Sequence, residues 1–287
     1  MLEPLRRGSV YLLLTVVGLG AFLYPFWLPS GRGLSNNDHA GDAPMIAALV
    51  GLLAVAIVML ELRRGTMTGT TVAVLGVLSA SAGMLKLLDL PGGGSGIFFL
   101  VILAGAAFGP RFGFLLGFTS FVVGAVVTGG IGPWLPFQML ALGWLGAGAG
   151  LVGLATRRLD ARVEVGVLAV YAWVSGFLFG AVMNLWFWPW YRDTGPVSWH
   201  PGLSFAATLQ HYWAFYVATS LAWDAAGATA NALATILLAR PVLRSLRRFA
   251  HRLDPVVEMA PSPVSTDPPI AAVGPVGSVG SVGSVSG

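Results

Sequence analysis

Apolar positions along this chain gather into long, nearly unbroken runs, each closed by Gly, Pro or Arg. Ser9 to Leu28 is the first, and a polar stretch over 29–43 with Asn36, Asn37, Asp38 and His39 follows it. Ala47 to Leu62 is the second, ended by Arg63-Arg64-Gly65. Gly69 to Leu88 is the third, with Lys86 near its end and Pro91-Gly92-Gly93-Gly94 beyond. Gly96–Phe108, Phe112–Thr128, Trp134–Ala155 and Val165–Trp188 come next, then a wet segment, Pro189–Gln210, and a last run, Tyr212–Leu238. About twenty apolar residues in a helix cross the hydrocarbon core of a bilayer. The pattern therefore predicts an all-α integral membrane protein of about eight transmembrane helices, with Gly96–Phe108 the shortest.

The centre of this pattern is 109–150. Gly113 and Gly117 precede a turn, Gly129-Gly130-Ile131-Gly132-Pro133-Trp134-Leu135-Pro136-Phe137-Gln138, and Gly146 and Gly150 follow it. Small residues four apart let helix backbones approach closely in lipid. The turn cannot be helical throughout, so its backbone groups must meet water or protein. The segment reads as a hairpin of two closely packed transmembrane helices.

Composition agrees: 56% of residues are hydrophobic, 10% are charged, and mean hydropathy is +0.78. The absence of cysteine removes disulfides, thiol chemistry and Cys-ligated metals. A net charge of +4 in such a chain bears on orientation rather than on nucleic acid. With eight spans, thirteen arginines (6, 7, 63, 64, 111, 157, 158, 162, 240, 244, 247, 248 and 252) fall on one side, and Arg32, Lys86 and Arg192 on the other. The positive-inside rule then places both termini in the cytoplasm. A cleaved signal peptide competes for the first run, but Tyr24-Pro25-Phe26-Trp27 stands where a small-residue cleavage site is needed. The expected organisation is two N-terminal helices (1–68), a six-helix core (69–240), a basic juxtamembrane helix (241–253) suited to anionic lipid headgroups, and a Pro-rich, Gly-Ser-Val-repeating tail (254–287) expected to be disordered.

Little in the chain suits an enzyme. The one lysine, Lys86, precedes Leu87, whereas a phosphate-cradling loop needs Gly-Lys-Ser/Thr. His39, His200, His211 and His251 show no metalloprotease spacing and none lies mid-span. No cofactor is implied. Asp224 lies deep in the last run, where a carboxylate marks either a functional site or a packing pair. Asn184 stands in the same position, as ligand holder or as a tie between helices. Trp186, Trp188, Trp190, Tyr191, Trp199, Tyr212 and Trp213 crowd the outer ends of the last two spans, and Trp134 and Phe137 lie in the central turn. An interfacial belt explains such residues, yet a belt belongs on both faces and the inner ends carry arginine instead. An aromatic pocket with Lys86, Asp89, Gln138, Asn184, His200 and His211 nearby suits a flat heterocycle. Lys86, Trp134, Gln138, Asn184, Trp188 and His211 are the expected substrate-binding residues.

The run FGPRFGFLLGFTSFVVGAVVTGGIGPWLPFQMLALGWLGAGAGLV, with GAVMNLWFWPW and TSLAWD, resembles the substrate-binding (S) components of energy-coupling factor transporters, most of all their actinobacterial branch. The resemblance covers about residues 70 to 250. It implies a six-helix core preceded here by two extra helices, a bacterial plasma membrane, and a vitamin-like substrate bound on the outer side. It also implies partners: a transmembrane coupling protein carrying two cytoplasmic ATP-binding subunits. The family docks through an Ala-x-x-x-Ala pattern on the first core helix. Here that helix reads TTVAVLGVLSASAGMLKLL, which pairs Ala73 with Val77, and offers Gly76 with Ala80 or Ser79 with Gly83 as small-residue pairs. Ala73, Gly76 and Ala80 are the expected docking residues. The competing reading is a structural or assembly membrane protein without transport activity.

Overall fold

The computed structural model describes residues 3–27, isolated helical positions between 45 and 63, then 68–90, 94–191, 195–253 and 287. The helices are α1 (Glu3–Trp27), α2 (Gly69–Met84), α3 (Gly96–Phe108), α4 (Pro110–Thr128), α5 (Leu135–Thr156), α6 (Ala161–Phe187), α7 (Phe205–Thr219) and α8 (Leu221–Leu253). Short 3₁₀ turns extend α2 through Leu87 and α6 through Trp190. The one strand pairing among the described residues is minimal: Asp89–Leu90 runs antiparallel to Gly94–Ser95. Among the described residues, five helical stretches are long and apolar enough to cross a membrane: Gly69–Leu87, Pro110–Thr128, Leu135–Thr156, Ala161–Trp190 and Leu221–Ala250. Tyr11–Phe26 and Gly96–Phe108 are shorter apolar helices. The chain is an all-α membrane protein.

The centre of the bundle is α3. Its 13 residues make a helix about 20 Å long, shorter than the ~30 Å hydrocarbon core. It is enclosed by other helices, and Ile97, Val101, Ile102, Leu103 and Ala104 are fully buried. Enclosure at this density requires bare backbone. A Cβ at Gly146 would lie 2.1 Å from the Gly113 carbonyl oxygen, and one at Gly105 2.5 Å from that of Gly146. Three helices, α3, α4 and α5, thus meet at three glycines. The same seam continues in both directions, with Gly117 against Leu142 on one side and Gly150 against Pro110 on the other. The expected hairpin of 109–150 is this α4–α5 pair. Gly109, with φ of 98°, makes the turn from α3 into α4, a backbone angle that L side chains rarely adopt.

The two ends of the bundle differ. At one, Pro110 meets Gly150, Ala106 meets Gly153, and Arg247 of α8 makes a two-pronged ion pair with the buried Glu164 of α6. This is the arginine end. At the other lie Lys86 and the 129–134 turn, joined where the Lys86 chain crosses Gly124. The α1 helix packs along α5: Gly18 faces Leu140 and Trp144, Trp144 Nε1 donates to Thr15 Oγ1 at 3.2 Å, and Phe22 meets Phe137 edge-on at 4.9 Å.

Three expectations change. The run Tyr212–Leu238 is not one helix. It breaks at Ser220, whose hydroxyl turns aside to Asn184, while Thr219 Oγ1 donates back to the Phe215 carbonyl. Pro189–Gln210 ends in helix, because Ser204 Oγ accepts the Ala207 N–H and starts α7 at Phe205, seven residues before the expected Tyr212. The basic 241–253 stretch is no separate helix; α8 carries on through Pro241 to Leu253. The expected second span, Ala47–Leu62, and the 254–287 tail lie outside the described residues, apart from isolated positions.

Gly146→Ala sets a methyl against backbone that cannot swing away, at a cost of about 1–3 kcal/mol. Gly76→Ala meets nothing within 4 Å and removes a helix-weakening glycine. Thermal unfolding in detergent should therefore show a lowered midpoint for Gly146→Ala and an unchanged or raised one for Gly76→Ala. Equal midpoints would refute the backbone seam.

Candidate functional site

At the Lys86 end, the expected residues other than Trp134 fall into two groups. The first lies inside the bundle. Lys86 Nζ sits 4.8 Å from the centroid of the Phe121 ring, on its face. Phe121 stacks on Phe179 of α6 at 5.8 Å with ring planes 5° apart, and Phe98 of α3 meets Phe179 edge-on at 4.9 Å. The α4–α5 seam pairs Gly113 with Gly146 and Gly117 with Leu142. One more helical turn along that register brings Phe121 and Gln138 to the same level of the hairpin. The Gln138 Oε1 atom is buried and accepts no hydrogen bond within the protein. A buried carbonyl oxygen left unpaired costs about 1–3 kcal/mol.

The second group is a closed aromatic assembly. Trp188 is 1% exposed, and its Nε1 donates to the Val197 carbonyl at 2.8 Å. Tyr212 meets its ring edge-on at 5.2 Å, and Phe26 of α1 lies 5.9 Å away. Phe26 also meets Trp199 at 5.3 Å. His211 Nδ1 is 2.8 Å from the Ser198 carbonyl oxygen. Asn184 Nδ2 donates to Ser220 Oγ at 2.8 Å, across the α6–α8 boundary. In each case a polar group of the chain already has a partner within the chain.

Trp134 joins neither group. Its indole covers Gly132, and its Nε1 donates to the Gly130 carbonyl at 3.3 Å, so it braces the turn that carries it. Asp224 lies against Gly180, where a Cβ would come within 1.8 Å of the carboxylate, and Tyr216 donates to its Oδ2 at 2.9 Å. One turn further, Gly176 rests on Ala228 in the same way. The carboxylate thus sits in the junction of α6, α7 and α8, and Tyr212 closes that junction with a hydrogen bond to the Ala181 carbonyl.

On α2 the small residues divide by face. Ser79 and Gly83 look inward: Ser79 Oγ is 2.6 Å from Thr119 Oγ1, and Gly83 packs on Val123 and Gly124. Ala73, Gly76, Val77 and Ala80 form an exposed stripe.

Several residues at this end were not singled out from the sequence. Phe98, Phe121 and Phe179 look like ordinary apolar positions in ordinary spans, and nothing local marks them. Gly176 and Gly180 did carry a signal, since a four-residue glycine spacing on a membrane helix predicts a close neighbour.

Trp188→Phe keeps a ring in the assembly and removes one hydrogen bond, at about 1 kcal/mol. Trp188→Ala also empties a large buried volume, at about 3–5 kcal/mol. Melting of the two variants in detergent should rank them in that order. A Trp188→Ala protein as stable as the parent would show that the assembly holds nothing together.

A family model described as "ECF transporter, substrate-specific component" matches residues 70–239, from the start of α2 to the last turn of α8 before Arg240. No curated protein and no solved structure gives a match.

Proposed function

Because the chain belongs to the ECF transporter substrate-specific components, we propose that it captures a vitamin-like or other small nutrient at its Lys86 end and hands it to a transport complex. The observation that carries this reading is the extent of the family match, which runs from the start of α2 through α7 and into α8. The bundle geometry supports a division of labour. Aromatic and polar side chains gather inside the Lys86 end, whereas the exposed Ala73, Gly76 and Ala80 stripe leaves one flank of α2 smooth. A smooth flank suits close packing against another membrane helix. Its partner in this reading is a transmembrane coupling protein that carries two ATP-binding subunits in the cytoplasm.

The arginine end is the cytoplasmic one by the positive-inside rule, which puts the Lys86 end outside a bacterial plasma membrane and both termini inside. The basic stretch of α8 beyond Arg240 then meets anionic headgroups. Asn184, Trp188 and His211 shape the outer wall of the site through the contacts they make with loop and helix backbone. Asp224 fixes the α6–α7–α8 junction beneath that wall.

Native mass spectrometry of the detergent-purified chain tests the reading: it should reveal a bound small molecule, and the isolated chain should not hydrolyse ATP. Gly76→Leu and Ala80→Leu should lower recovery of the coupling protein in a pull-down while leaving the amount of bound small molecule unchanged. Robust ATPase activity from the isolated chain would overturn the proposal. Normal co-purification of both variants would move the docking face elsewhere.

A further inference from the structure

Resting on the substrate-binding reading above, we propose that the ligand seat is the interior group of Lys86, Phe121, Gln138, Phe179 and Phe98, and that it selects a flat, neutral or anionic ring over a cationic one. Among the described residues this group combines a cation, facing aromatic rings and an unpaired acceptor. Trp188, His211 and Asn184 each spend a polar group on the chain itself.

The chemistry of the seat follows from its parts. Phe98, Phe121 and Phe179 come from three different helices, and their rings are held by each other at 4.9 and 5.8 Å. Such a surface favours flat apolar rings, by area and by quadrupole geometry. Lys86 brings a positive charge and three N–H donors to the same place, over Phe121. An acceptor on the ligand, either a carbonyl or a carboxylate, satisfies it. A second cation there meets repulsion in a region of low dielectric. Gln138 Oε1 requires the opposite group, an N–H or O–H on the ligand. A ring that carries both a carbonyl or carboxylate and an N–H answers all three demands. A quaternary heterocycle answers only the aromatic one.

The unpaired oxygen also gives the seat a signature that a packing role lacks. Without ligand, Gln138 holds a buried acceptor at a cost, so Gln138→Leu should raise the melting temperature of the ligand-free protein. The same change should weaken binding. Stability and affinity then move in opposite directions, as they do when a site keeps a group for its ligand rather than for its fold.

The test is thermal shift and calorimetric titration of the full-length chain in detergent with three probes: lumichrome, a neutral tricycle with an N–H and carbonyl edge; nicotinate, an anionic monocycle; and thiamine, a cationic heterocycle. At least one of the first two should stabilise the protein, and thiamine should not. Gln138→Leu and Lys86→Met should each weaken the binding probe about ten- to hundredfold. Lys86→Arg, which keeps the charge, should restore most of it. Phe121→Leu should weaken binding with little dependence on the probe's charge. Stabilisation by thiamine alone, or by none of the three, overturns the assignment of ligand class. Parental affinity in Gln138→Leu and Lys86→Met overturns the assignment of the seat. A co-purified molecule that stays at parental level in those variants would remove the seat but keep the substrate-binding reading. Its absence from the parent protein would remove that reading itself.

Discussion

Three glycines, Gly105, Gly113 and Gly146, bring the backbones of α3, α4 and α5 into direct contact, and the rest of the bundle takes its positions from that point. Lipid tails are as apolar as leucine, so no hydrophobic force draws these helices together. Attraction comes from many short dispersion contacts, each about 0.1–0.2 kcal/mol, and these fall off within a fraction of an ångström of separation. A single methyl at any of the three positions forces the pair apart. The seam also fixes register. With Gly113 set against Gly146 and Gly117 against Leu142, the turns of α4 and α5 toward the Lys86 end have no freedom to slide, and Phe121 stays level with Gln138.

The architecture was largely legible because membrane helices declare themselves by length and composition alone. The α3, α4 and α5 boundaries follow from Gly, Pro and Arg at the ends of apolar runs, whereas α6 starts at Ala161, ahead of the expected Val165, because Asp160 caps it. The break at Ser220 was not legible in that way. Thr219-Ser220 is polar but brief, and hydropathy averaged over a span passes across it. The side chain at the break bonds a tertiary partner, Asn184, thirty-six residues away. The start of α7 was readable in Ser204, yet the Gly/Pro-rich residues before it weigh more in a reading by composition.

Side-chain roles divided along a similar line. Asn184 stood in the sequence as either ligand holder or helix tie, and in the fold it bonds Ser220. Trp188 is a plug whose N–H is already engaged, a fact that depends on the carbonyl of Val197 in a loop and on no nearby residue pattern. On α2, periodicity alone offered two small-residue pairs. Only the packing of Gly83 on Val123 and Gly124 separates the inward pair from the outward one.

The contact between α1 and α5 has a consequence for the time course of assembly. Thr15 and its partner Trp144 are 129 residues apart in the chain. At the ~5–20 residues per second of synthesis, α1 waits on the order of ten seconds before α5 exists. Throughout that interval Gly18 and Phe22 lack their α5 partners. A helix able to wait in this way must be stable in the bilayer by its own hydropathy and must bind late, as a finished rod seeking a groove. The aromatic assembly around Trp188, which needs Phe26 from α1 as well as Trp199 from the loop after α6, is therefore among the last parts of the molecule to close.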